Sequence, residues 1–150
     1  VTLGTVTVVE TDDALVTYGG LLSLIDYDVE MEPGAVEVDL DWRSLRQMPQ
    51  DYTVFVHIFD PATGLPVAQN DAMPRRGAYP TRFWWAGETV EDQVLIPLDG
   101  VAPGDYAVGI GVYDQATGRR LTALDAEGRR IEEDRFVLPS TVEWHTPAHS

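Results

Sequence analysis

The chain contains no cysteine. Disulfide frameworks, thiolate zinc sites, iron–sulfur clusters and cysteine nucleophiles are excluded, and the redox compartment is left open. Lysine is also absent, because all ten basic residues are arginine, so neither a Schiff base nor a P-loop lysine is available. No run approaches the roughly 20 apolar residues that span a bilayer, and the N-terminus lacks the basic, apolar and small-residue regions of a signal peptide. Serine occurs only as Ser23, Ser44, Ser140 and Ser150, with no Gly-x-Ser-x-Gly elbow. The three histidines, His57, His145 and His149, lack the close helical spacing of a zinc protease. Nothing here forms a catalytic constellation, and the expectation is a protein that is not an enzyme.

Acid is what the chain has in excess. Of 150 residues, 25 are Asp or Glu against 10 Arg, giving a formal net charge of −15 and a pI near 4.3. Such a charge repels phosphate backbones and anionic lipid, so nucleic acid and direct lipid binding are poor partner expectations. With 44% hydrophobic and 9% aromatic residues, the composition is that of a folded globule rather than an acidic tail. The length suits one domain over residues 1–150. A first residue of Val1 rather than methionine is read as a piece excised from a longer polypeptide, with a processed mature domain as the alternative.

The hydrophobic pattern is one of strands. Val36, Val38, Leu40 and Trp42 alternate with Glu37, Asp39 and Asp41, the period of a half-buried strand. From Val54 to Phe59 both parities are apolar, apart from His57, which predicts a central strand covered on both faces. Similar runs occur at 21–29, 94–98, 106–113 and 135–138, with weaker ones at 6–9, 67–69 and 120–124. Between them lie Gly and Pro turn signals such as Glu32-Pro33-Gly34 and Ala102-Pro103-Gly104. Residues 43–50 have room for one helical turn, but Pro49 argues for a loop. Short strands at near-regular spacing predict an all-β, two-sheet β-sandwich of immunoglobulin-like or jelly-roll type.

An internal repeat accompanies this pattern. Phe59-Asp60-Pro61-Ala62-Thr63-Gly64 recurs 54 residues later as Tyr113-Asp114-Gln115-Ala116-Thr117-Gly118. The same offset carries Val54, Val56 and Ile58 onto Val108, Ile110 and Val112, and Asp71 onto Asp125. Two similar hairpins are expected, around Asp60–Gly64 and Asp114–Gly118. In each, the aspartate accepts turn amides and the glycine supplies a positive φ. A shared calcium-loop role for the two aspartates is the alternative.

Carboxylates are too abundant for any pair to mark a glycosidase, and a strand such as 36–42 reads first as a solvated face that blunts edge pairing. No run has EF-hand spacing, so calcium, the one cofactor considered, would need ligands gathered by the fold. His57, flanked by Phe55 and Phe59, reads as a histidine satisfied beneath a loop. The segment from Gly77 to Glu88 is the most informative, with Tyr79, Phe83, Trp84 and Trp85 around Arg82. Pyranose C–H faces stack on such rings while hydroxyls bridge to polar groups, making Tyr79, Arg82, Trp84 and Trp85 candidate ligand-binding residues. The competing reading is that Tyr79, Phe83 and Trp84 cap the core. In an extended segment Trp84 and Trp85 point to opposite sides, so one ring should be exposed.

An ordered string of motifs carries a family resemblance: Asp51 through Asp60, Val67-Ala68-Gln69-Asn70-Asp71, Gly77 through Trp84 with Gly87-Glu88, Pro103-Gly104-Asp105-Tyr106, Gly111-Val112-Tyr113-Asp114, and Thr117 through Leu121. Over roughly residues 19–138 the chain resembles the C-terminal soluble domain of multi-spanning bacterial membrane proteins, Chloroflexi-type protein mannosyltransferase-like glycosyltransferases among them. The resemblance implies an extracytoplasmic β-sandwich attached to a membrane-embedded enzyme, with no catalytic residues of its own. Trp85-Ala86 departs from that pattern, in which a polar residue and proline are commoner. The function expected is an accessory domain that binds or positions a glycan or polypeptide acceptor and contacts its own membrane domain. The alternative is a structural or protein-interaction module without a small ligand.

Overall fold

The computed structural model describes residues 14–145, so the run at 6–9 lies outside the described residues. The described residues form nine strands: β1 (Val16–Tyr18), β2 (Leu22–Glu32), β3 (Ala35–Ser44), β4 (Tyr52–Phe59), β5 (Pro66–Ala72), β6 (Thr89–Pro97), β7 (Gly104–Asp114), β8 (Ala123–Asp125) and β9 (Phe136–Trp144). A first sheet has the order β6-β3-β2-β1-β8 and a second the order β5-β4-β7-β9, with every pairing antiparallel. The architecture is the expected two-sheet β-sandwich. No helix of the described residues is long and apolar enough to cross a membrane.

The period-two residues face the space between the sheets. Val36, Val38, Leu40 and Trp42 of β3 meet Val54, Val56 and Ile58 of β4 and Val108, Ile110 and Val112 of β7 in one buried cluster. All eight residues of β4 are buried, as its two-sided apolar pattern required. In β2 the inward parity changes at a bulge between Leu24 and Asp26: Leu22 and Leu24 face inward before it, and Tyr27 and Val29 after it. The sequence carries that slip openly. Tyr18 ties the sheets together by donating its buried hydroxyl to Ile110 O at 2.6 Å.

The repeated strands are neighbours. Val54 pairs with Val112, Val56 with Ile110 and Ile58 with Val108, so β4 and β7 are related by a pseudo-twofold axis near Val56 and Ile110. The two turns match in detail. Ala62 and Ala116 each donate a backbone N–H to the Asp two residues before, at 2.9 Å, and Gly64 and Gly118 each donate to that aspartate's carbonyl at 2.7 Å with φ 76. The return strands differ. β5 stays beside β4, whereas the chain after Gly118 makes one bridge, Arg120 to Tyr113, and crosses to join β1 as β8. Asp71 and Asp125 are likewise not equivalent. Asp71 accepts the Tyr113 hydroxyl within the sheet, while Asp125 caps a third turn through Glu127 N and Arg129 N.

The remaining differences from the sequence pattern have local causes. β1 is only three residues, too short to show periodicity before Gly19 and Gly20. β9 runs on to Trp144 despite Pro139, because it is an edge strand with a register shift opposite Ala107 and Gly109. Residues 45–51 form a loop, and Met48 plugs the core from it.

Candidate functional site

The connection from β5 to β6 carries the aromatic segment, and its buried half fixes its exposed half. Thr81 is fully buried, accepting Tyr52 N at 2.9 Å and donating to Gln50 O at 3.1 Å. Trp84 is 0% exposed and donates its indole N–H to Tyr79 O at 2.9 Å. The Tyr79 ring lies 6.2 Å from that of Trp84, and its hydroxyl donates to the Glu88 carboxylate. Glu88 also accepts Trp85 N at 2.8 Å, and Gly87, at φ 87, donates to Ser44 O at 2.6 Å. Trp84 is extended, with ψ 141, so the next ring must point away from the core.

Trp85 is that ring, 73% exposed, and Phe83, two residues earlier, is 53% exposed. Arg82 lies over the Phe83 ring at 4.9 Å and approaches Asp51 at 3.6 Å. The segment thus divides: Trp84 and most of Tyr79 belong to the packing, and Arg82, Phe83 and Trp85 are exposed. Of the four sequence candidates, Trp84 offers a ligand no ring face. Phe83, grouped with the core in the alternative reading, is on the surface.

His57 lies on the outer face of the second sheet, against Phe55 at 4.5 Å between ring centroids. Its Nδ1 is 3.2 Å from the Arg135 guanidinium Nη1, and burial followed by the Arg135 charge lowers its pKa to about 4. Arg135 is itself buried, stacked 3.8 Å over Phe59. Glycine makes the room: a Cβ on Gly109 would stand 2.6 Å from Arg135 Cδ, and one on Gly111 2.1 Å from the Phe55 ring. Arg120 covers Phe55 at 4.6 Å. This is a closed cation–aromatic stack with a satisfied histidine at its centre.

The outer face of the first sheet is acidic. Asp26, Asp28 and Glu30 of β2 stand opposite Asp41, Asp39 and Glu37 of β3, and Asp41 stands opposite Glu91 of β6. Hydrogen bonding to Asp39 and the surrounding carboxylates raise the Glu37 pKa; burial, then Glu91 and Asp26, raises that of Asp41. Among the described residues no three His, Asp or Glu side chains converge to hold a metal. The Asp60 and Asp114 carboxylates cap their turns.

A cleft of about 720 Å³ lies at the free edge of β6, lined by Asp39, Asp41, Arg75, Arg76, Glu91, Asp92 and Gln93. Arg75 and Arg76 both adopt positive φ, 57 and 56, a conformation costly for non-glycine residues. Asp92, 6% exposed, accepts Arg75 N at 2.7 Å. The sequence reading missed this place. Its one signal was Asp92, an acid at the inward parity of Val90, Val94 and Ile96.

A two-sheet antiparallel sandwich whose sheets are joined by loops and short 3-10 turns is the class of domain these features define. Among solved structures it is similar to the crystal structure of the C-terminal domain of wzt, with a TM-score of 0.56 and 12% identity over 92% of this chain and 89% of that one. No family model matches the chain, and a search of curated proteins returns no match.

Proposed function

We propose that this chain is a non-catalytic accessory domain that holds a glycan, or a glycan-bearing acceptor, for a membrane glycosyltransferase-like protein of which it is the extracytoplasmic part. The carrying observation is the Trp85 ring, 73% exposed and held out by a loop whose other side is anchored through Trp84 and Glu88. An exposed tryptophan on a fixed loop presents a stacking face at little ordering cost. Phe83 and Arg82 add a second face and a donor. A sandwich fold that also occurs as the C-terminal domain of wzt supports the reading of a module appended to a longer chain. Such a module needs no metal and no cofactor.

A glycan array probed with the wild-type domain, Trp85→Ala and Phe83→Ala tests this. Specific binding should be lost in Trp85→Ala and weakened in Phe83→Ala, with both melting temperatures nearly unchanged. Wild-type binding that survives Trp85→Ala, or no binding to any glycan, sinks the reading in favour of a structural module. An apolar sheet face would favour that alternative; here one outer face is lined with carboxylates and the other centres on Phe55, His57 and Phe59 buried beneath arginines.

A further inference from the structure

Arg135 is a buried cation with weak partners. Its Nη1 lies 3.2 Å from His57 Nδ1, and Nη1 and Nη2 each stand 3.4 Å from Gly64 O. Among the described residues its one ion-pair neighbour is Glu133 at 3.9 Å, whose side chain is 59% exposed. A guanidinium has donors only, so the His57 contact exists only while Nδ1 carries a lone pair and the imidazole is neutral. Through these contacts Arg135 joins the β4–β5 turn to the start of β9, and its side chain fills the space above Gly109 against Phe59.

The groups around His57 are poor hosts for a second cation. On its two sides in the sheet stand Gln69 and Gly109, the latter without a side chain. Asp71 of β5 already accepts the Tyr113 hydroxyl at 3.1 Å and Gln69 Nε2 at 3.0 Å. Arg120 brings another positive charge, fixed by its bond to Glu133 O at 2.9 Å. Burial, Arg135 and Arg120 therefore outweigh Asp71 and Glu133 and hold the imidazole neutral. The segment that delivers Arg135 is strained, with Glu133 and Asp134 at φ 60 and 52. Asp134 anchors it, accepting Ala123 N at 3.0 Å and Arg130 at 3.1 and 2.9 Å. Arg130 holds the Asp134 carboxyl below the usual carboxylate range, so the anchor keeps its charge in mild acid. We propose that His57 and Arg135 form an acid-operated latch: protonation of His57 Nδ1 expels the Arg135 guanidinium, which frees the Gly64 turn from the start of β9 and uncovers the Phe59 ring, while the core between the sheets stays closed. The latch is independent of any ligand at Trp85. Its closed form needs neutral His57, so opening grows as pH falls from 6.5 through about 4, and the opening constant rises by at most 10^(6.5−4), about 300-fold. The first sheet responds oppositely, because Glu37 and Asp41 are raised and acid relieves their repulsion.

Hydrogen exchange read by mass spectrometry, with the His57 ring followed by NMR, tests this from pH 7 to 4 in the wild type, His57→Gln and Arg135→Met, each checked for folding by circular dichroism. In the wild type, protection of residues 60–66 and 131–138 should fall at least about tenfold while that of residues 36–42 holds, and His57 should titrate at about 4. His57→Gln keeps an oxygen for Arg135 but takes up no proton, so its protection should not change with pH. Arg135→Met should open both segments already at pH 7 and move the His57 titration up toward its ordinary 6.5. The latch is overturned by a wild-type His57 that titrates at 6.5, by wild-type protection constant across the range, or by protection that falls as steeply in His57→Gln. A fall shared by residues 36–42 overturns it too, because that is global unfolding by acid. Should His57→Gln fail to fold, a His57 titration in Arg135→Met unmoved from the wild type's decides against the latch.

Discussion

Trp84 and Trp85 are adjacent and chemically identical, yet the fold gives them opposite work. Trp84 lies wholly inside with its N–H satisfied, so Trp84→Ala removes packing and leaves Tyr79 O without its donor. A loss of about 3–5 kcal/mol is expected for such a truncation, read as a lower urea midpoint. Trp85→Ala should stay within about 0.5 kcal/mol of wild type. A comparable loss in both variants would mean that the exposed ring also packs.

His57 gives a second residue-scale expectation. Its folded pKa of about 4 lies below its ordinary value of 6.5, because burial and Arg135 disfavour the charged imidazole. A neutral form favoured by folding stabilises fully above the unfolded pKa, and that stabilisation is lost as pH falls from about 6.5 toward 4. Glu37, Asp41 and Asp92 work in the opposite direction. Their pKa values are raised in the fold, so repulsion and burial costs present at neutral pH are relieved on acidification. His57→Gln separates the two. Its stability difference from wild type should shrink as pH falls through that window, and a difference constant from pH 7 to 4 would refute the assignment.

Among the elements, the adjacent strands β2, β3 and β6 of the first sheet carry like charges directly opposite one another, at Asp26–Asp41, Asp28–Asp39, Glu30–Glu37 and Asp41–Glu91. Each such pair is destabilising, and one change of sign turns a repulsion into an attraction. Asp28→Lys, at an exposed position opposite Asp39, should raise stability by about 0.5–1 kcal/mol in urea unfolding. An unchanged or lower midpoint would show that solvent already screens the pair. The strands themselves were largely legible, because one alternating face was apolar. β1 was not, being three residues long, and the identical turns at Asp60 and Asp114 hid the divergence of their return strands. Turn chemistry is local, whereas the partner of a returning strand depends on which sheet edge is free.

For the whole molecule, 25 acids against 10 arginines give a self-repulsion that ions reduce within a Debye length of about 10 Å at 0.1 M. The melting temperature should therefore rise between very low and moderate salt. A steady fall would mean that the ion pairs Arg130–Asp134 and Arg82–Asp51 matter more than the repulsion.

Side-chain alternation and turn chemistry over a few residues set the class of fold, the central place of β4, the twin turns and the rule that one of two adjacent tryptophans must face water. Tertiary structure decided that Trp85 is that residue, through the bonds of Trp84 to Tyr79 and of Trp85 to Glu88. It also decided that Arg135 stacks on Phe59 above Gly109, and that Asp39, Asp41 and Asp92 meet Arg76 in one cleft. Those meetings join residues far apart in the chain, where packing of the two sheets, and no local preference, sets the distance.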